Sequence, residues 1–304
     1  MYKYMKLLWG ISLGLSSVAA ALARAETECK NENDSCAEIG QWEFSLGIGA
    51  GVRTNPLVDS KNIPLILIPQ ISYVGERFFI QNLDIGFLLF ENQQHQLNLF
   101  MTPSYDPIYF YDNHPGNFFL DNNNLAVQNT VKLNNGSSRG FTENSENKNL
   151  EGTPVTWRNL HKRRTAGLAG IEYNTTLAQI ELQGHVVHDV TGIHDGDEVR
   201  LTLGKHWTKD KSRLGLALGA NWQSSEVVNY YYGVSAQETD VTNIYSAKSG
   251  TSILLRFDWT YTLTENWDLR VLTSYRRLPT AISASPLIDN NKVLTACVGG
   301  VYHF

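Results

Sequence analysis

Residues 251–263, TSILLRFDWTYTL, alternate along their whole length. Ile253, Leu255, Phe257, Trp259, Tyr261 and Leu263 take every second position, and Ser252, Leu254, Arg256, Asp258, Thr260 and Thr262 fill the places between. Successive side chains of a strand point to opposite faces, so this is a strand with one greasy face and one mostly polar face. The greasy face turns aromatic toward one end. One such strand suits a two-sided soluble sheet, and equally a membrane barrel with lipid outside and a polar lumen. Repetition separates the two.

The same alternation recurs at 42–53, 63–74, 96–102, 165–173, 177–188, 199–207, 213–222, 267–275 and 292–304. Within 213–222, Leu214, Leu216, Leu218, Ala220 and Trp222 oppose Arg213, Gly215, Ala217, Gly219 and Asn221. Pro64 and Pro69 weaken the second segment, because proline has no donor for a ladder. The stretch 77–90 reads either as one long strand or as two short ones, 77–81 and 84–90, folded at Asn82-Leu83. Outer-membrane barrels have short periplasmic turns and longer surface loops. With two short strands the count is about twelve, and the long segments 103–162, 223–250 and 276–291 all fall on one side. With one strand the count is odd and the long middle segment changes sides. The expected fold is therefore an all-β, antiparallel, up-and-down transmembrane barrel of about twelve strands. Ten remain if that hairpin lies outside the wall.

Charged residues make up 18% of the chain, below the usual quarter, and the net charge is −5. A nucleic-acid binder would be basic. Lys3 and Lys6, the apolar run 7–23 and Ala23-Arg24-Ala25 form a signal-peptide pattern, with the mature chain expected from Glu26. Residues 26–41 then form a short periplasmic segment before the barrel of 42–304. Cys29 and Cys36 are close enough in sequence to close a small disulfide loop in an exported protein, or to stay as thiols of a tail. Cys297 is left over and reads as a small packing residue. No cysteine–histidine spacing asks for zinc, and nothing in the chain asks for a cofactor.

The chain ends Val301-Tyr302-His303-Phe304. An aromatic terminal strand closing on phenylalanine looks like the signal read by the barrel-assembly machinery, with Tyr302 and Phe304 as its residues. Ordered pieces of the chain also resemble the MipA/OmpV family of outer-membrane proteins. They are GIGAGVRTNP, then IPQISYVGERFFIQNLDIGFLLF, then TAGLAGIEYNTTLAQIELQGHVVHDVTGIHDG, then YYGVSAQE, SPLIDNN and GGVYHF. The resemblance spans 42–304, and the enlarged segment 106–151 departs from it. It implies a non-enzymatic barrel among outer-membrane lipid and lipopolysaccharide, acting as a scaffold in peptidoglycan biogenesis. The implied partners are a lytic transglycosylase and a penicillin-binding protein. A small-solute channel and a surface adhesin are the alternatives.

On the face opposite the lipid, the alternation places Glu43, Arg53, Glu181, Arg200, Arg213, Arg256, Asp258, Asp268 and Arg270. Both signs are present, which suits either a charged constriction or ion pairs bracing a narrow lumen. His185 and His188 fall on opposite faces, and no serine sits in a nucleophile motif, so no catalytic constellation forms. Asp195, Asp197 and Glu198 cluster on an expected surface loop, as a solvated acidic loop or a Ca²⁺ or Mg²⁺ site. In the long segment 103–162, Ile108, Tyr109, Phe110, Tyr111, Phe118 and Phe119 are too apolar for a solvated tail. They are expected to pack over or into the barrel mouth.

Overall fold

The computed structural model describes residues 39–111, 160–239 and 243–304. Twelve antiparallel strands close into one barrel, each bonded to its neighbours in sequence, and the last returns to the first. They are β1 (Gln41–Arg53), β2 (Ile63–Val74), β3 (Phe78–Gln81), β4 (Asp84–Glu91), β5 (His95–Pro103) and β6 (Gly167–Leu177). The second half comprises β7 (Ile180–Asp189), β8 (Asp197–Lys209), β9 (Ser212–Gln223), β10 (Gly250–Thr262), β11 (Trp267–Arg277) and β12 (Lys292–His303). The stretch 77–90 is thus two strands and both belong to the wall, which excludes ten. The expected signal peptide, 1–25, and the expected disulfide partners Cys29 and Cys36 lie outside the described residues.

The hairpin β3–β4 shortens the wall. β3 pairs with β2 only from Ser72 to Val74. At its turn, Asn82 takes φ 54°, donates its N–H to the Ile71 carbonyl and accepts the Ile71 N–H on its side chain. Pro64 and Pro69 pair with β1 and lie in the part of β2 above this contact. There, among the described residues, the strand has a ladder on one side only, which is where prolines are tolerated. Phe79 lies across from Gly86 in this hairpin, and a Cβ on Gly86 would meet the ring at 2.0 Å.

One turn differs from expectation. Asn174-Thr175-Thr176 has turn composition, yet it is the end of β6, and the reversal is made by Ala178 and Gln179 with φ of 50° and 67°. The reason lies in the side chains. Thr175 is β-branched and suits a strand, and the Asn174 amide is spent on Gln96 across on β5 and on Glu172 along its own strand.

The alternation sorts into two environments. Outside, Ile171, Val186, Leu201, Leu203, Leu216, Leu218, Ile253 and Leu255 are all 43–59% exposed. At the short-turn end the outer face is aromatic, with Trp42, Tyr73, Phe78, Trp207, Tyr261, Trp267, Tyr302 and Phe304 near the ends of their strands. Trp42 packs at a tilt on Tyr73 at 4.8 Å, Trp267 likewise on Tyr302 at 5.1 Å, and Tyr302 and Phe304 meet edge to face at 4.9 Å. This matches the girdle that amphipathic rings form at a membrane interface.

Phe304 is 68% exposed, and its backbone N–H reaches the Phe44 carbonyl at 3.2 Å. Its loss removes little packing. If the terminal ring is read during assembly, deleting Phe304 is nevertheless expected to lower the yield of heat-modifiable barrel in outer membranes several-fold. Unchanged yield would leave the ring with no assembly role.

Candidate functional site

The long-loop end of the barrel is filled by its own connections. Helix α1 (Ser225–Tyr232) follows β9. Its sequence carries helix signals: Ser224 in the N-cap position, Glu226 in the first turn, and an apolar face of Val227, Val228, Tyr231 and Tyr232. All four of these side chains are 0% exposed. They pack with Ile108, Tyr109 and Phe110 from the β5–β6 connection, Leu57 from β1–β2, and Ile282 and Leu287 from β11–β12. Lumen-facing wall residues Ile63, Leu65, Leu272 and Val293 complete this core. The expectation for the aromatic start of the long segment thus holds for Ile108, Tyr109 and Phe110. Phe118 and Phe119 lie outside the described residues.

Polar groups fasten the stopper. Asp106 opens a 3-10 turn, Asp106–Tyr109, inside the mouth and is 3% exposed. It accepts hydrogen bonds from the Tyr232 hydroxyl at 2.6 Å and the Gln223 amide at 2.8 Å. Burial, and then the charge of Glu198, push the Asp106 carboxyl above its usual range, against the pull of the Tyr232 hydrogen bond. Ser104 and Tyr231 share a hydrogen bond at 2.7 Å. Arg163 pairs with Glu238 at 2.9 Å and also donates to the Gly233 carbonyl, tying the connection that leads into β6 to the loop after α1. Burial alone would raise the Glu238 pKa, but the hydrogen bonds from Arg163 and Ser235 and the charge of Arg163 together outweigh it and hold the carboxylate low. The guanidinium of Arg276 lies 4.3 Å over the Tyr105 ring, with that of Arg53 at 5.8 Å. A second short helix, α2 (Thr280–Ser283), takes the Tyr245 hydroxyl on its Ala281 carbonyl.

Below the stopper the lumen is ionic. Asp258 receives Arg270 at 2.9 Å and Arg256 at 3.5 Å. Glu198 receives Arg200 at 3.0 Å and the Asn221 amide at 3.3 Å. Glu172 faces His185 at 3.0 Å and accepts amide donors from Asn98 and Asn174. Nearer the short turns, Glu181 pairs with His206 and Asp268 with His303, each at 2.9 Å. Arg53 is 2% exposed and donates to the Thr295 hydroxyl. Glu43 and Arg213 are half-buried on the same inner face. The charges are grouped with opposite signs, two residues apart along one strand (Glu198 with Arg200, Asp258 with Arg256) or across adjacent strands (Asp258 with Arg270, Glu172 with His185), so that buried ions are paired.

The acidic cluster expected on a surface loop is divided by the wall. Glu198 is fully buried in the lumen, Asp197 faces outward to His188 at 2.9 Å, and Asp195 sits in the loop with φ 52°. The strand begins at Asp197, two residues before the apolar alternation announces it, so neighbouring acids part to opposite faces. Among the described residues no group of His, Cys, Asp or Glu is placed to hold a metal. Helix α1 corrects the reading of 223–250 as a plain loop; the signal that finds it is the 3.6-residue period of SSEVVNYYY, which gives the buried face above. The partners Asp106 and Glu172 carried no such signal, since each is defined by chains far away in sequence.

Two curated relatives from Escherichia coli span nearly the whole barrel. YiaT, described as an outer membrane protein, is 24% identical over 86% of this chain and 91% of its own. The MltA-interacting protein is 22% identical over 87% and 91%. Among solved structures, an outer membrane channel from Pseudomonas putida matches with TM-score 0.36 and 10% identity, covering 91% of this chain and 100% of that one. The family model described as MltA-interacting protein MipA matches residues 46–304, from the first strand to the last residue. This chain, a closed twelve-stranded outer-membrane β-barrel, belongs to the MipA family.

Proposed function

We propose that this barrel is a non-enzymatic scaffold of the cell envelope that assembles peptidoglycan enzymes at its short-turn end. The observation that carries the reading is the stopper: a buried apolar core with Tyr231 and Tyr232 at 0% exposure fills the end where the long loops meet. A general porin needs a continuous aqueous path. Here an apolar layer closes one end, and paired ions cross the lumen beneath it. In this reading the long loops face outward and the short turns face the periplasm, as in other outer-membrane barrels. Residues 26–41 lie on the periplasmic side after signal cleavage. Lipid and lipopolysaccharide surround the wall, and the barrel-assembly machinery inserts it. A lytic transglycosylase is the favoured partner, because a full-length relative is named for interacting with one. A penicillin-binding protein is the second.

Purified protein in planar bilayers is expected to conduct far below an open porin. Sustained, large single-channel openings would sink the scaffold reading and favour a solute channel. Cross-linking in intact envelopes is expected to capture a lytic transglycosylase at the periplasmic turns. Capture only at the long loops would reverse the proposed polarity.

A further inference from the structure

The outer face of β11 and β12 ends, toward the long loops, in two cations. Arg277 and Lys292 are register partners across these strands. Their chain neighbours Arg276 and Val293 are buried on the inner face, so alternation turns Arg277 and Lys292 outward, and both are exposed. The next outward pair toward the short turns is Tyr275 opposite Leu294, 38% and 49% exposed. Every outward position from there to Trp267 and Tyr302 is uncharged. Arg277 stands ten positions from Trp267, and Lys292 ten from Tyr302. At about 3.4 Å per residue and a tilt of about 40°, that distance is about 25 Å, the height of an apolar band. The cations therefore lie one band height from the aromatic girdle, at headgroup level. Among the described residues neither side chain has an ion pair or a hydrogen bond, and Asp289, the acid nearest Lys292 in the sequence, pairs with neither. Like charges directly opposite on a sheet face repel, and nothing in the protein relieves them.

We propose that Arg277 and Lys292 bind a phosphate monoester on the lipid A head of lipopolysaccharide, with an acyl chain lying along Tyr275 and Leu294. A phosphate monoester carries about −1.5 to −2 at pH 7, which matches two unpaired cations. A phosphodiester lipid carries a single charge and leaves the pair half-compensated. The guanidinium grips phosphate oxygens in a two-pronged fork, and the ammonium adds a mobile point charge. The apolar step beneath the cations favours a phosphate that comes with hydrocarbon over free phosphate. The assignment to the outer leaflet rests on the outward orientation of the long loops in the scaffold reading. It does not depend on any enzyme partner, nor on whether the lumen is sealed.

Native mass spectrometry of the full chain released from detergent tests it. The probes, used separately, are bisphosphorylated lipid A, lipid A stripped of phosphate, phosphatidylglycerol and inorganic phosphate. Lipid A is expected to bind about tenfold more tightly than each of the other three. Arg277→Gln with Lys292→Gln is expected to remove that preference. Lys209→Gln with Lys211→Gln removes the same charge at the short-turn end and is expected to leave it intact. Lys292→Glu separates binding from structure. It sets a carboxylate opposite Arg277, so the thermal midpoint is expected to hold or rise while lipid A binding falls about tenfold. Heat-modifiable mobility confirms that each variant is folded. Binding that survives the loss of both cations overturns the proposal, as does an equal loss from the short-turn variant. Equal binding of stripped lipid A, phosphatidylglycerol or inorganic phosphate overturns it too. A barrel of reversed polarity would leave these results unchanged and would show instead in the envelope cross-linking.

Discussion

Leu216→Arg lowers the unfolding free energy by about 2–4 kcal/mol in vesicle titrations, the cost of an arginine near the bilayer midplane. Leu216 lies midway along β9, between Lys205 on β8 and Phe257 on β10, and is 43% exposed on the outer wall. The outer wall there is otherwise apolar, and Lys205 directly opposite adds a like charge, so an arginine must snorkel or drag water inward. Leu216→Ala isolates the charge from the loss of volume and should cost much less. An arginine at the neighbouring inner position, Ala217, is no harmless comparison. Ala217 is 2% exposed and lies directly opposite Arg256, so an arginine there meets a like charge and a filled lumen. Equal stability of Leu216→Arg and the parent would place the outer wall in water and remove the membrane assignment.

The barrel was legible because its information is local. Period-two alternation, turn spacing and the parity of long connections are all read from adjacent residues, and they place all twelve strands to within a few positions. The turn at Ala178-Gln179 escaped because its two residues carry no turn chemistry, while Asn174-Thr175-Thr176 carries it and is used for strand. The interior was legible by face but not by partner. Alternation puts Arg256 and Asp258 inside. It does not reveal that Arg270, one strand on, completes the group, because that depends on the register of β10 with β11. Asp106 is the extreme case. It sits in a connection with no alternation at all, and it becomes the anchor of the stopper only when Tyr232, on a helix far along the chain, comes to meet it.

The largest stability effect is expected at Asp258. Its side chain is 4% exposed and takes Arg270 at 2.9 Å and Arg256 at 3.5 Å, whose own side chains are 11% and 6% exposed. Asp258→Asn keeps the shape and removes the carboxylate that both guanidiniums contact. Breaking a buried ion pair from one side costs on the order of 3–5 kcal/mol, because the charge left behind has lost its compensation. Here two cations, held close by adjacent strands, would also repel each other. Removing the whole group is a different perturbation. Arg256→Met, Asp258→Leu and Arg270→Met together take away the repulsion and the burial cost along with the attraction, so the triple variant is expected to recover most of the loss. Guanidinium titrations of the refolded barrel in vesicles separate the cases, provided the slope is unchanged between variants. If Asp258→Asn costs less than about 1 kcal/mol, the triad behaves as an exposed pair and the lumen around it is wet. That result would weaken the case for a sealed barrel from below, independently of the stopper above it.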